Sequence, residues 1–292
     1  MPQVSVVIPV YNGEKYIKEA VNTALYQSFN DLEIIVVDDY SSDKTFEIVH
    51  ENFKNELQTG KIKYIRNEIN KERSFTRNRG FLKSQGEYVF FLDYDDLWDI
   101  DYIETSTEEL KNSDIVYSIP RTFIDESGRI KRVSKKKIDT DVGKIVFSGN
   151  IGYPSASGFK REKFLKFRED LNYREDWELF LRSYLNGLKI KILDNNKVKI
   201  REHTNRTSKD NYEMMLSTIK IYKEYEERIP KEYKQFFYFH IGEMCLRYGN
   251  LPLGWYLSIK AFKNVDVLNK RNMLNLLKWG FRFDRYISYL IR

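Results

Sequence analysis

Cysteine is almost absent from this chain: Cys245 is the one thiol in 292 residues. A lone cysteine closes no intrachain disulfide, so a reducing, cytoplasmic setting is expected. Long apolar runs are missing too, and no segment approaches the roughly 20 consecutive apolar residues of a membrane-spanning helix. The chain passes from Met1-Pro2-Gln3 straight into strand-like Val4-Ser5-Val6-Val7-Ile8, which reads as neither signal peptide nor anchor. No internal repeat is visible. The first turn, Pro9-Val10-Tyr11-Asn12-Gly13, lacks the Gly-x-Gly-x-x-Gly pattern, which disfavours a dinucleotide-binding dehydrogenase.

What is present is ample core-forming material, 41% apolar and 15% aromatic residues, in a chain long enough for one large domain plus an appendage. The formal charge of +6 is unevenly placed. From Lys260 to Arg292 eight basic residues face only Asp266 and Asp284, so the remainder is close to neutral. That argues against a nucleic-acid-binding surface spread over the protein and points to a local role for the tail. A second basic cluster, Arg129 to Lys137, reads as a solvated loop.

Up to about residue 120, short β-branched runs alternate with segments of helical period, the pattern of a mainly parallel sheet covered by helices. Strands are expected over 4–9, 32–37, 62–65 and 87–92, with helices over 14–27, from Ser42 or Asp43 through Phe53, and over 74–84. Beyond Ile119-Pro120 the pattern is less regular, with turn signals that include Tyr153-Pro154-Ser155. A helix resumes at Glu175-Asp176-Trp177, two short strands follow at 189–193 and 197–201, and helices dominate from Asn211 onward. The expected division is 1–210 and 211–292.

Two acidic clusters fall at carboxyl ends of strands, the edge where open α/β sheets bind ligands. The first is Val37-Asp38-Asp39-Tyr40-Ser41-Ser42-Asp43, in which Asp38 and Asp43 suit turn and cap roles. The second is Phe90-Phe91-Leu92-Asp93-Tyr94-Asp95-Asp96, three carboxylates within four residues. Like charges crowded at the mouth of a buried strand call for a cation, and hard oxygen ligands at this spacing suit Mg²⁺ or Mn²⁺ with positions left for phosphate oxygens.

In their order and spacing, the Tyr11-Asn12-Gly13 turn, the Asp38-Asp39 strand end and Leu92-Asp93-Tyr94-Asp95-Asp96 resemble the family 2 glycosyltransferases, inverting nucleotide-sugar enzymes with the GT-A (Rossmann-like) fold and a mainly parallel α/β sheet. The resemblance is strong from Val4 to about Asp99 and returns at Arg174-Glu175-Asp176-Trp177 and Arg201-Glu202-His203. It implies that Pro9 and Tyr11 border the base, that Asp39 accepts from its ring N–H, and that Arg77 in Thr76-Arg77-Asn78-Arg79-Gly80 approaches the nucleotide. It further implies Asp93 near the ribose, Asp95 as main ligand of Mn²⁺ or Mg²⁺ with His203 beside it, and Asp176 as the base for the acceptor hydroxyl. Asp96 is expected to cap a helix beginning at Leu97, or to support the site from behind. Tyr40 and Tyr94 depart from the small residues common in the family and imply a narrower donor site. Trp98 and Trp177 read as core or acceptor-wall residues.

The implied partners are a uridine or thymidine diphosphate sugar and a glycan or lipid-linked glycan acceptor. The chain lacks the Gln-x-x-Arg-Trp motif of processive relatives, which implies addition of single sugars. On a helical wheel, Arg271, Lys278, Arg282, Arg285 and Arg292 oppose Met273, Leu276, Leu277, Phe283, Ile287 and Leu290, a pattern shared by membrane-surface helices and by helices packed on a neighbour. Two rivals stand beside the transferase: an aspartyl-phosphate phosphohydrolase using Asp93 and Asp95, and a catalytically silent glycan- or membrane-binding partner.

Overall fold

The computed structural model describes residues 1–203, 211–262, 267 and 270–281. Two compact units are formed, one from 1–137 with 153–206, the other from 138–152 with 207–292. In the first, β1 (Val4–Val10) and β2 (Leu32–Asp38) are buried along their whole length. Both are rich in Val and Ile, as strands covered on both faces tend to be, and the buried polar pair they carry is satisfied internally, Ser5 Oγ donating to Glu33 Oε1 at 2.7 Å. They pair in parallel, from Val4 opposite Leu32 to Val10 opposite Asp38. Next come β3 (Ile62–Arg66) beside β2 and β4 (Tyr88–Phe91) beside β1, both parallel.

The sheet then departs from the parallel pattern. Between β4 and β6 (Ile115–Ser118) lies β9 (Ser157–Lys160), antiparallel to both, and β10 (Ile190–Leu193) completes the seven strands along β6. Gly158 makes the insertion feasible, since the Phe90 ring occupies the space a Cβ would take, 2.3 Å away.

A second sheet has the order β5 (Leu97–Trp98), β11 (Val198–Arg201), β7 (Thr122–Ile124), β8 (Ile130–Val133). Two expectations are corrected here. Leu97-Trp98 is a short strand paired with β11, and the next helix, α5 (Tyr102–Leu110), starts four residues after Trp98, so Asp96 caps no helix. Within the basic cluster Arg129 to Lys137, Ile130–Val133 is an exposed edge strand and not a loop, while residues 134–137 are irregular. The Arg132 guanidinium lies 3.4 Å from the Phe123 ring centroid and, with Lys131, pairs with Glu202. Charge on an edge strand blocks pairing with other chains.

The helices α1 (Ile17–Leu25), α2 (Thr45–Asn52) and α3 (Lys54–Gln58) follow β1 and β2, and α4 (Glu72–Lys83) lies against β1 and β2. The buried face of α4 is largely polar: Ser74, Thr76, Arg77, Asn78 and Gly80, beside Phe81. Most of these groups find partners, although the buried Ser74 hydroxyl has none among the described residues. Asn78 exchanges hydrogen bonds with the Phe167 backbone, and the Thr76 hydroxyl donates to Glu72.

The second unit is helical. It comprises α6 (Val142–Phe147), α8 (Asn211–Tyr225), α9 (Lys234–Tyr248), α10 (Leu251–Ala261) and α11 (Lys270–Gly280). Gly249 at φ 120° ends α9, and the Asn250 side chain caps α10 at the Leu253 N–H. Gly242 and Gly254 let α9 and α10 approach closely, with Ser258 and Leu246 in the places of their missing side chains. The distal part of the expected basic–apolar helix, Arg282 to Arg292, lies outside the described residues. Of its proximal part, Leu276 is buried while Met273, Leu274, Leu277 and Phe281 are exposed.

A Cβ on Gly80 would stand 2.3 Å from Val7 Cγ1 and 3.1 Å from Val37 Cγ2, in the core between α4 and the sheet. We predict that Gly80→Ala destabilises the protein toward the upper end of the roughly 1–3 kcal/mol typical of overpacking, outweighing the ~1 kcal/mol gained in helix propensity. A denaturant midpoint equal to or above wild type would contradict it.

Candidate active site

The site grows from the carboxyl ends of β1, β2 and β4. Pro9 is buried in β1 opposite Val37, beyond the last β1–β4 pair at Val7 and Phe91, so its missing N–H costs no ladder bond to β4. The next turn exposes Tyr11 and places Asn12 at φ 50°. Cross-bonds lock this turn to the end of β2: Asn12 N–H donates to Ser41 Oγ, Gly13 N–H to Thr45 Oγ1 and Glu14 N–H to Asp43 Oδ2. Asp43 also accepts from Thr45 N–H at the start of α2, although the N-cap position itself is Lys44, one residue later than expected.

Asp38 is structural as well. Fully buried, it accepts from Ser41 N–H and from the Tyr64 hydroxyl at 2.6 Å, with Arg66 at 3.6 Å. Asp39 is held through one oxygen alone, Oδ1, which accepts from Asn67 Nδ2 at 2.6 Å and Lys71 N–H at 2.8 Å. Its Oδ2 makes no hydrogen bond among the described residues. Tyr40 takes a left-handed φ of 69°, and its half-exposed ring lies under the Arg66 guanidinium.

Beyond β4, the three carboxylates separate by partner. Asp96 is buried, accepting from Ser155 Oγ at 2.6 Å and Arg201 N–H at 2.9 Å. Burial first, then the charges of Asp95 and Asp93, push its carboxyl well above the usual range. Asp95 Oδ2 meets His203 Nε2 at 2.8 Å, with both side chains largely shielded. Asp93 accepts from Arg77 Nη2 at 2.7 Å, and its N–H donates to Ser155 Oγ. Tyr94 packs on Gly13, whose absent Cβ would lie 2.8 Å from the ring.

Arg201 knits this loop to its surroundings. Almost wholly buried, it donates from Nε to the Asp95 carbonyl at 2.9 Å, from Nη1 to the Asp125 carbonyl and from Nη2 to Glu19 Oε2 at 2.6 Å. Its guanidinium also covers the Tyr16 ring, which in turn stands beside His203.

The last group forms at the start of α7 (Glu175–Leu185), just after Arg174 at φ 67°. Glu175 is buried and accepts from Arg77 Nη1 at 3.0 Å, with Arg73 Nε at 3.8 Å. Arg77 therefore spans two carboxylates, Asp93 and Glu175, and their charges hold it firmly protonated against its burial. Asp176 is partly buried, and its Oδ1 accepts from Trp177 N–H. Desolvation, then the charge of Glu175, raise its carboxyl to about 7, against the opposing pull of Arg174 and Arg77. Trp98 and Trp177 are core residues, and the Trp98 indole donates to the Ser155 carbonyl.

The structure thus places Pro9 and Tyr11 at the end of β1 beside Asp39 at the end of β2, pairs Asp95 with His203, and joins Asp93 to the Glu175–Asp176 segment through Arg77. Sequence reasoning missed Ser155, which had appeared only inside a turn signal, and Arg201, which had carried no role of its own. Among the described residues no three His, Cys, Asp or Glu side chains converge to hold a metal; Asp95 and His203 are a pair.

A mainly parallel sheet whose carboxyl edge carries an acidic turn, an Asp-x-Asp and a helix-start Glu-Asp defines a GT-A type of transferase. The chain matches Glycosyl transferase family 2 over residues 5–187, and it belongs to that family. It is 29% identical over 258 residues to the uncharacterized glycosyltransferase EpsJ of Bacillus subtilis, covering 83% of this chain and 71% of that protein. It is 25% identical over 227 residues to Escherichia coli WfaP, a UDP-Glc:alpha-D-GlcNAc-diphosphoundecaprenol beta-1,3-glucosyltransferase, covering 76% and 86% of the two. Two solved structures share the fold at 17% identity. They are S. aureus TarS with UDP-GlcNAc (TM-score 0.63, 97% of this chain and 92% of that one) and the Pyrobaculum calidifontis mannosyltransferase PcManGT with GDP-Man and Mn²⁺ (TM-score 0.64, 99% and 82%). The chain is a glycosyltransferase, and the phosphohydrolase and silent-partner readings give way to it.

Proposed function

We propose that this glycosyltransferase moves a hexosyl or N-acetylhexosaminyl unit from a UDP- or dTDP-sugar to a glycan or lipid-linked glycan, one sugar at a time and with inversion, in surface-polysaccharide synthesis. Residues 1–210 are its catalytic domain and 211–292 a helical extension. The observation that carries the reading is one sheet edge holding a carboxylate for the nucleobase, an Asp–His pair and a helix-start carboxylate, Asp176, with a raised proton affinity. WfaP, named for a UDP-Glc donor and a diphosphoundecaprenol-linked acceptor, supports both substrate classes.

The Asp39 oxygen left open by Asn67 and Lys71 accepts from the imide N–H of uracil or thymine, while Pro9 and Tyr11 border the ring. Asp95 and His203 are suited to hold Mn²⁺ or Mg²⁺: a hard oxygen and an imidazole nitrogen already lie within 2.8 Å of each other, and further ligands fall to phosphate oxygens. When bound, such an ion neutralises charge developing on the leaving diphosphate. Asp93 lies near the ribose and Arg77 keeps it in place. Asp176 takes the proton of the acceptor hydroxyl as the new C–O bond forms at the anomeric carbon and the sugar–phosphate bond breaks, its electron pair leaving with the diphosphate. Attack opposite the leaving group inverts the configuration.

A thermal-shift panel tests donor and metal together. UDP- or dTDP-sugars with Mn²⁺ should raise Tm by roughly 2–8 °C, GDP-sugars should not, and Asp95→Ala should abolish the metal-dependent part. A shift with GDP-sugars alone would overturn the base assignment.

Asp176 must be ionised to accept a proton, so kcat/KM should rise with pH through about 7 and then level. Asp176→Asn should lower kcat by about 10²–10⁴-fold. Because the folded carboxyl titrates above its unfolded value, Asp176 costs stability progressively as pH rises from the ordinary carboxylate range to about 7. The same substitution should therefore raise Tm at pH 8 relative to wild type. Wild-type turnover in Asp176→Asn would sink the assignment.

The exposed apolar residues of α11, Met273, Leu274 and Leu277, lie on one helical face in a basic tail, which supports contact with an anionic membrane where a lipid-linked acceptor resides. Sedimentation with anionic liposomes should be lost on deleting 269–292; unchanged sedimentation would contradict the contact.

A further inference from the structure

Arg77 does more at this edge than neutralise Asp93. Its guanidinium, 5% exposed, is shared between Asp93 Oδ1 at 2.7 Å and Glu175 Oε1 at 3.0 Å, over the Phe167 ring. Glu175, 4% exposed, is also approached by Arg73 at 3.8 Å, while Arg73 covers Tyr173. Burial raises the Asp176 carboxyl most, and Glu175 on its own helix adds to the rise, while Arg174 just before it, the Trp177 N–H and Arg77 from α4 oppose it. The two cations favour a weakly basic carboxylate and work against both burial and Glu175. The N-terminal dipole of α7 acts in the same direction.

We propose that Glu175, fixed by Arg77, is a positioning residue that makes Asp176 an effective base by cancelling the positive charge beside it. The inference rests on Asp176 being the acceptor-side base. A buried carboxylate next to a catalytic one would ordinarily be costly, and Arg77 makes it tolerable. Glu175 repels a charge on Asp176 and so favours its protonated state, which raises the affinity of the carboxylate for the acceptor's proton. Since Arg77 also grips Asp93, one guanidinium fixes Glu175 relative to the turn that follows β4.

The test compares Glu175→Gln and Glu175→Asp in the full chain, using pH profiles of kcat/KM alongside UDP affinity and Tm. Glu175→Gln removes the negative charge and leaves Arg77 less compensated. The rising limb should move toward acid by about one pH unit, with the plateau falling about tenfold. Glu175→Asp keeps the charge and should hold the limb at its wild-type position even where Tm falls. A limb unmoved in Glu175→Gln, with Asp176→Asn inactive, overturns this inference alone. Wild-type turnover in Asp176→Asn removes the base assignment, and the inference with it.

Discussion

Crowding carboxylates at the carboxyl edge of one sheet is the constraint that organises this protein. Asp38, Asp39, Asp93, Asp95, Asp96, Glu175 and Asp176 are all buried or partly buried at strand ends or a helix start. Like charges in such surroundings repel strongly unless each is paired, hydrogen-bonded or protonated. The structure uses a different solution for each. Asp38 is bound by a tyrosine hydroxyl, a backbone N–H and an arginine, and Asp39 by an asparagine and a backbone N–H. Asp93 and Glu175 share one guanidinium, Asp95 has an imidazole, and Asp96 is shifted toward its neutral form. Asp176, like Asp96, is left with a raised affinity for its proton, by burial and then by the charge of Glu175.

Two residues convert that charge pattern into fixed geometry. Ser155, fully buried in the turn before β9, accepts from Asp93 N–H and donates to Asp96, so one hydroxyl sets both ends of the Asp-x-Asp turn. Arg201, at the end of β11, reaches the Asp95 carbonyl, the β7–β8 turn and Glu19 of α1. The second sheet thereby serves the first: its inner strand β11, between β5 and β7, delivers both Arg201 and, two residues on, His203 to the loop after β4. The short strand β5 completes this arrangement by pairing Trp98 with Val198, which explains why the chain extends at Leu97 and does not begin a helix there.

How much of this was legible in the sequence follows from range of interaction. β1, β2 and β4 are mostly apolar on both faces, so local composition reveals them, and Asp39, Asp93 and Asp95 follow from where they end. β9 has only four residues, one of them glycine, and is stabilised by two neighbours distant in sequence, so no local pattern announces it. The same applies to Arg201 and Ser155, whose partners lie 57 to 182 residues away. Glu175 was visible as a helix-start acid, but its burial under Arg77, 98 residues earlier, was not. The basic stretch around Lys131 misled because charge normally means loop, whereas here it faces solvent from an edge strand and pairs with Glu202.

The pairing of Asp95 with His203 bears on how donor and metal enter. The two side chains that meet among the described residues, Asp95 and His203, are few for a hard cation, which takes about six ligands and keeps water where nothing better is supplied. On the reading proposed above, most of the coordination shell belongs to the donor's phosphates. Metal and nucleotide then each provide ligands or charge that the other needs, and thermodynamic linkage makes their binding mutually reinforcing. Asp95 and His203 satisfy each other at 2.8 Å, so neither polar group stands bare in a shielded position.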